Sequence, residues 1–278
     1  MRTLLMTCRL RLAGMVMICA GSMFGAGCIE QKPAAMTQTV RQDFRQEFDP
    51  QRFQLHGGAS PAAFCSMEDD GLHVRVTPQD ANVGSRGISA RFQVSGDFEI
   101  VAGFKIVNVP KPDKGFGAGM AISIRDENDE WATLQRVHHP ERGHVIIAHR
   151  AIPEATANEP GKFRHSVESM TCQAKEGQLC MKRTGSDLEY SFTVAPETTP
   201  QVIRMTAYSR RPLKQIHFDA QTGQGGKQVD VVWTNITVTC DEMMSRKATA
   251  GQRPVDLPLA NFCTHLTDLI SPAVFLLD

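Results

Sequence analysis

Residues 87–110 read GISARFQVSGDFEIVAGFKIVNVP. Ile88, Ala90, Phe92 and Val94 alternate with Ser89, Arg91 and Gln93; after Ser95-Gly96-Asp97 the alternation resumes at Phe98, Ile100, Ala102, Phe104 and Ile106. Side chains two apart on an extended chain share a face, so each arm buries one side and wets the other. A glycine between two such arms predicts a β-hairpin turned at Ser95–Asp97.

The same period extends in both directions. Leu72, Val74 and Val76 form a short run stopped by Pro78. Ala118, Met120, Ile122 and Ile124 form another, and Trp131 to Val137 and Val145 to Ala148 flank a turn at Pro140-Glu141-Arg142-Gly143. Leu179, Met181 and Arg183 lead through Gly185-Ser186-Asp187 to Leu188, Tyr190, Phe192 and Val194, a second hairpin signature. Val229, Val231 and Trp233 share one parity and Ile236 and Val238 the other, so a single strand there needs a bulge near Thr234-Asn235. No helix-length 3.6 period occurs between Phe44 and Thr239. Many short strands with regular turns predict an all-β sandwich or barrel. Phe92, Phe98, Ile100, Phe104, Ile122, Tyr190 and Phe192 are its expected core.

The ends of the chain differ from this middle. Arg2, Arg9 and Arg11 precede an apolar segment, Leu12 to Phe24, too short to span a bilayer as a helix, which takes about 20 residues. It reads as an export signal. Gly25-Ala26-Gly27-Cys28 resembles the end of a bacterial lipoprotein signal, with Cys28 as the lipidation candidate; Gly25 stands where that pattern usually has Leu, and simple secretion is the alternative. Residues 29–41 read as a polar tether, 42–241 as the sandwich, and 242–278 as a linker with a short helical tail built on Leu259, Phe262, Leu266 and Ile270. With 278 residues, 30 basic and 30 acidic side chains balance. That balance argues against a nucleic-acid or polybasic membrane partner, leaving the N-terminal lipid as the only expected membrane contact.

Cysteine usage fits an oxidising compartment. Cys172 and Cys180 flank a polar stretch containing Gly177 that can turn the chain back, which predicts a bridge between them. If Cys28 is lipidated, five cysteines remain beyond the signal and one stays unpaired.

Two segments carry a family resemblance. ARFQVSGDFEIVAGFKIVNVPKP (90–112) is similar to the segment of concanavalin A-like or laminin-G-like domains in which two strands meet across a Gly-Asp turn. GQLCMKRTGSDLEYSFTV (177–194) and IHFDAQTGQGGKQVDVVWTNITVT (216–239) resemble the later half of those domains. The chain from Gln42 to Asp241 thus resembles a family of bacterial exported proteins of unknown function. The resemblance implies a jelly roll of two antiparallel sheets, one concave, with glycans bound on the concave face or rim loops. It also implies that first and last strands neighbour each other, so that a disulfide is expected to join Cys65 to Cys240 or Cys263.

Hydrolases on that fold carry Glu-x-Asp-x-x-Glu on one strand, because retaining hydrolysis uses two carboxylates about 5 Å apart. The nearest acidic cluster here, Asp126-Glu127-Asn128-Asp129-Glu130, lacks the third carboxylate in register and reads as a solvated turn, with a calcium loop as the alternative. No nucleophile elbow or phosphate loop is present. Trp131 offers an aromatic face for a pyranose, and Arg136 and Arg183 offer donors for hydroxyls. His138 joins them as a ligand-binding candidate, and the turn at 140–143 would set His139 opposite His144, close enough to share a metal; exposed strand-end histidines are the commoner case. No catalytic or metal-ligating residue is assigned. The expectation is an exported or lipid-anchored, non-catalytic module that binds carbohydrate or another envelope component. The alternatives are a glycoside hydrolase or lyase, and a purely structural envelope protein.

Overall fold

A computed structural model of the chain describes residues 36–57, 63–77, 85–154, 162–223 and 227–245. The export signal, Cys28, Cys263 and the helical tail lie outside the described residues. Within them the elements are strands. β1 (Gln38–Asp43), β2 (Phe53–His56), β3 (Cys65–Glu68), β4 (Gly71–Val76) and β5 (Arg86–Ala90) are short. β6 (Phe92–Asn108) is long, followed by β7 (Ala118–Asp126), β8 (Trp131–His139), β9 (Gly143–Pro153) and β10 (Phe163–Thr171). β11 (Glu176–Thr184), β12 (Asp187–Val194), β13 (Gln201–Ala207), β14 (Leu213–Gln221) and a second long strand, β15 (Val229–Ser245), complete the order.

Every pairing is antiparallel. One layer runs β2–β5–β14–β7–β8–β9–β10. The other runs β13–β12–β11–β6–β15, with β1 and β4 side by side along the far edge of β15 and β3 outside β4. Among the described residues a single strand pair, Leu213 with Val94, joins the two layers. This is the two-sheet sandwich expected. The first described strand lies beside the last, β1 against residues 235–240 of β15.

The core is the inner face of both layers. All seven residues named in advance are buried, with Phe92, the most accessible, only 5% exposed. Phe218 of β14 and Trp233 of β15 meet edge to face across the layers at 5.7 Å. The expected bulge is present: the β15–β6 register shifts between Trp233 and Asn235. That shift lets Trp233 and Ile236 both face inward.

The expected hairpin at Ser95–Asp97 is instead a bulge inside β6. Phe98 pairs with Cys240 and Ser95 with Glu242, so Gly96 and Asp97 oppose the single residue Asp241. Gly96 sits at φ 73°, the left-handed conformation of a glycine bulge, and the Asp97 N–H donates to Asp241 Oδ2 at 2.7 Å. A left-handed glycine suits a turn or a bulge equally; the partner strand decides. The change of direction comes earlier, at Arg91, where the chain leaves β5 in one layer and enters β6 in the other.

No disulfide forms among the described cysteines. Cys65, Cys172, Cys180 and Cys240 are free thiols. Residues 172–175 do not reverse the chain as a hairpin; they carry it from β10, paired with β9, to β11, paired with β6 in the opposite layer. Cys180 opposes Val101 and Ser191, not Cys172. Cys65 lies in β3 and reaches β15 only through β4, at Val231, nine positions from Cys240. Burial pushes the Cys65 thiol up to about 12 and those of Cys180 and Cys240 up to about 11, as for inert core thiols.

Candidate functional site

The layer containing β14, β7 and β8 turns Ala132, Leu134, Ile122, Ile216 and Phe218 to the core, so the alternate residues of those strands point outward. Register lines them into rows. One row crosses His56, Gly87, Asp219, Ala121, Gln135, Ile147 and Ser169 on successive strands. The next crosses Gln54, Ser89, His217, Ser123, Thr133, His149 and Val167. Small residues on β5 and β7 separate the larger polar groups of β2, β14 and β8. The result is a hydrogen-bonding lane on the outside of the sandwich.

The lane is interlinked. His56 Nε2 lies 2.6 Å from Asp219 Oδ1, and the rings of His56 and His217 are 4.5 Å apart. Gln221 Nε2 donates to Gln135 Oε1 at 3.1 Å. Thr133 Oγ1 and His149 Nδ1 are 3.3 Å apart, and His149 Nε2 is 3.1 Å from His165 Nδ1. Trp131 stands half-buried beside His149, ring centroids 6.5 Å apart. Val137, Val145 and Ile147 form a separate apolar patch at the other end. Beyond it, near His139, a hollow is lined by Lys111, Lys114, Phe116 and Lys227. It holds none of the lane's interlinked polar groups.

The four ligand-binding candidates do not meet. Trp131 alone borders the lane. Arg136 points inward, is 1% exposed, and donates from Nε and Nη2 to the Ala174 carbonyl and from Nη1 to that of Val137. Arg183 is in the opposite layer, fully buried, with Nη1 on the Ser209 and Arg211 carbonyls and Nε and Nη2 on Gly96 O. Burial lowers the pKa of both guanidinium groups, and main-chain oxygens take up their N–H groups instead of a ligand. His138 turns to the Val109 carbonyl at 3.2 Å. It is His138, not His139, that opposes His144, with rings stacked 4.0 Å apart, because the β8–β9 register pairs His139 with Gly143.

The acidic turn between β7 and β8 is less solvated than expected. Asp126 is buried and its Oδ1 accepts the N–H groups of Asn128 and Glu130. Glu130 pairs with Arg150 at 2.6 Å, and Asp129 pairs with Arg125 at 2.9 Å and with Lys214. Cations of the protein itself thus occupy these carboxylates.

His149 makes the lane acid-sensitive. Burial, then the His165 ring and Arg204, hold its pKa at about 3, far below the ordinary histidine value of 6.5. Below pH 6.5 the unfolded chain takes up a proton that the folded protein refuses. The stability His149 contributes is therefore complete above that value and lost as pH falls toward 3. Replacing His149 by Gln is expected to flatten the dependence of unfolding free energy between pH 6 and pH 4.5 by up to about 1.4 kcal/mol per pH unit. Urea titrations at those pH values check it; equal slopes for the two proteins would refute it.

Sequence reasoning missed His56, His217, Asp219, Gln135 and Gln221. The only local signal was parity: in IHFDAQ (216–221), His217, Asp219 and Gln221 alternate with Ile216, Phe218 and Ala220, so three polar groups share the outward face. Their partner His56 lies some 160 residues upstream.

Comparison with known proteins bears on the fold. A Crh5 transglycosylase in complex with NAG matches at TM-score 0.52 and 10% identity, over 76% of this chain and 87% of its own. A LamA variant from Z. galactanivorans in complex with laminaritriose and laminaritetraose matches at 0.54 and 11%, over 74% and 100%. A structure reported for endo-acting O-glycanases of the human gut microbiota matches at 0.55 and 9%, over 73% and 99%. At such identities the likeness is one of fold, a concanavalin A-like jelly roll. No curated protein matches the chain. The family model described as "Protein of unknown function (DUF1583) C domain" matches residues 27–263, and the chain belongs to that family.

Proposed function

We propose that this protein is an exported, non-catalytic carbohydrate-binding module whose ligand lies along the outer lane of the β14–β7–β8 layer. The observation that carries the reading is the composition of that lane. It sets amide, hydroxyl and imidazole groups, with His56, His217 and Gln221 half-buried and Thr133, Gln135 and His149 buried beneath, beside a half-buried tryptophan, the donors, acceptors and aromatic face that suit sugar hydroxyls and pyranose rings. Among the described residues Asp219 is the only carboxylate at its outward positions, so the second member of a hydrolytic pair is missing there. Likeness in fold to proteins solved with laminarin oligosaccharides and NAG supports a glycan as the ligand class. The segment Arg2 to Cys28 supports export, with lipidation at Cys28 as the anchored form.

The test is a glycan array probed with the mature chain, followed by calorimetry on the best binder. Trp131→Ala is expected to weaken that binding about tenfold or more, roughly 1.4 kcal/mol, with the fold unchanged. Release of reducing ends from the bound glycan would convert the reading to a glycosidase. Absence of binding to any glycan, or binding indifferent to Trp131, would overturn it.

A further inference from the structure

We infer that His56, His217 and Asp219 form a binding site for a divalent transition-metal ion on the outer lane. The inference stands apart from the glycan reading. One donor atom from each of the three residues can be chosen so that all lie within 4.8 Å of one another. They come from two strands that are not neighbours: His217 and Asp219 are two apart on β14, and His56 is on β2, with β5 between. Gly87 occupies the intervening position of β5, so no side chain stands between His56 and Asp219 in this row.

His56 Nε2 and Asp219 Oδ1 are 2.6 Å apart, an ion-pair distance, and among the described residues neither buried atom has a further hydrogen-bond partner. Asp219 is 3% exposed, so the pair is withdrawn from water. A cation about 2.1 Å from each atom would replace this contact and open the two atoms to about 3.4 Å, the separation of ligands on a tetrahedral metal. Two imidazoles and one carboxylate suit Zn²⁺, Co²⁺, Mn²⁺ or Fe²⁺ better than Ca²⁺ or Mg²⁺, which prefer all-oxygen sites. Three protein ligands leave a coordination position for water or a ligand oxygen.

A second cluster provides the contrast. Glu68, Asp70 and His73 also approach one another, but Arg75 pairs with Glu68 at 2.6 Å and Lys105 with Asp70 at 2.8 Å. His73 spends its nitrogens on Asp70 and Asp230. Cations of the chain already hold that cluster, so Glu68→Gln serves as the control.

The experiment uses the mature chain stripped with chelator and titrated with Zn²⁺ by calorimetry, and with Co²⁺ by visible absorption. One Zn²⁺ per chain is expected, with a Co²⁺ spectrum showing nitrogen and oxygen ligands. Asp219→Asn, which preserves shape, and His217→Ala are each expected to weaken Zn²⁺ about 100-fold or more, because loss of even an outer-shell partner costs 10–100-fold. Glu68→Gln should bind as the unaltered protein does. Zn²⁺ should also raise the unfolding temperature of the unaltered protein and not that of Asp219→Asn. Failure of the unaltered protein to bind either metal overturns the inference, as does binding that survives both substitutions. Glycan binding is measured separately, so either reading can fail while the other holds.

Discussion

Replacing Arg183 by Ala is expected to destabilise the protein by about 4 kcal/mol, close to the whole stability of a marginal domain. The guanidinium is fully buried and its ring-face contact with Phe98 is 4.7 Å from the centroid. Its N–H groups hold three main-chain oxygens: Gly96 at the β6 bulge, and Ser209 and Arg211 in the connection from β13 to β14. It therefore ties an irregular point of one layer to the loop that leads into β14 of the other. Truncation removes the volume and leaves those carbonyls without donors, two costs that overlap but have the same sign. Arg183→Lys keeps charge without the planar fork, so an intermediate loss is expected. Urea unfolding reads both. A change below about 1 kcal/mol for Arg183→Ala would show that the carbonyls find other donors and that the bulge holds itself.

Gly87→Ala is expected to cost about 3 kcal/mol and to lower the unfolding temperature by about 6–12 °C. A β-carbon at this position would fall well inside contact distance of the Phe218 carbonyl oxygen and touch the Asp219 α-carbon, both backbone atoms of β14 that no rotamer change can move. β5 must then separate from β14, and β2, which among the described residues pairs only with β5, goes with it. Hydrogen exchange should therefore accelerate in residues 53–56 and 86–90 while β7 to β9 stay protected. Uniform acceleration would mean that the β2–β5 edge is not a separable unit. An unchanged melting curve would mean that the two strands have room to spread.

These two residues also show what local pattern contains. Alternation along β4, β7, β8, β11, β12 and β15 was legible because a strand's burial is decided residue by residue. Even the bulge at Trp233–Asn235 could be read, since a change of parity within one strand allows nothing else. Pairing was not legible in the same way. Gly96 signals a left-handed residue, and whether the chain turns or bulges there depends on Asp241, which lies on a strand that arrives nearly 150 residues later. Cys172 and Cys180 look like hairpin partners until β10 and β11 are found in different layers.

The candidate site divides along the same line. Trp131 was identified from its own chemistry, and the structure keeps it beside the outer lane. Arg136 and Arg183 were attractive as donors for the same reason, but inward parity and main-chain oxygens occupy them. His56, His217 and Asp219 carried no motif because ligand geometry is a property of three-dimensional neighbours, here brought together across β5. By itself the amino-acid sequence determined that this is a two-sheet β-sandwich, which residues fill it, and that its acidic stretch lacks the hydrolase spacing. Alternation and spacing are local quantities. Only the tertiary structure decided which polar residues meet on the outer face and which cysteines stay apart, because sheet order joins strands by hydrogen bonds that local sequence does not index.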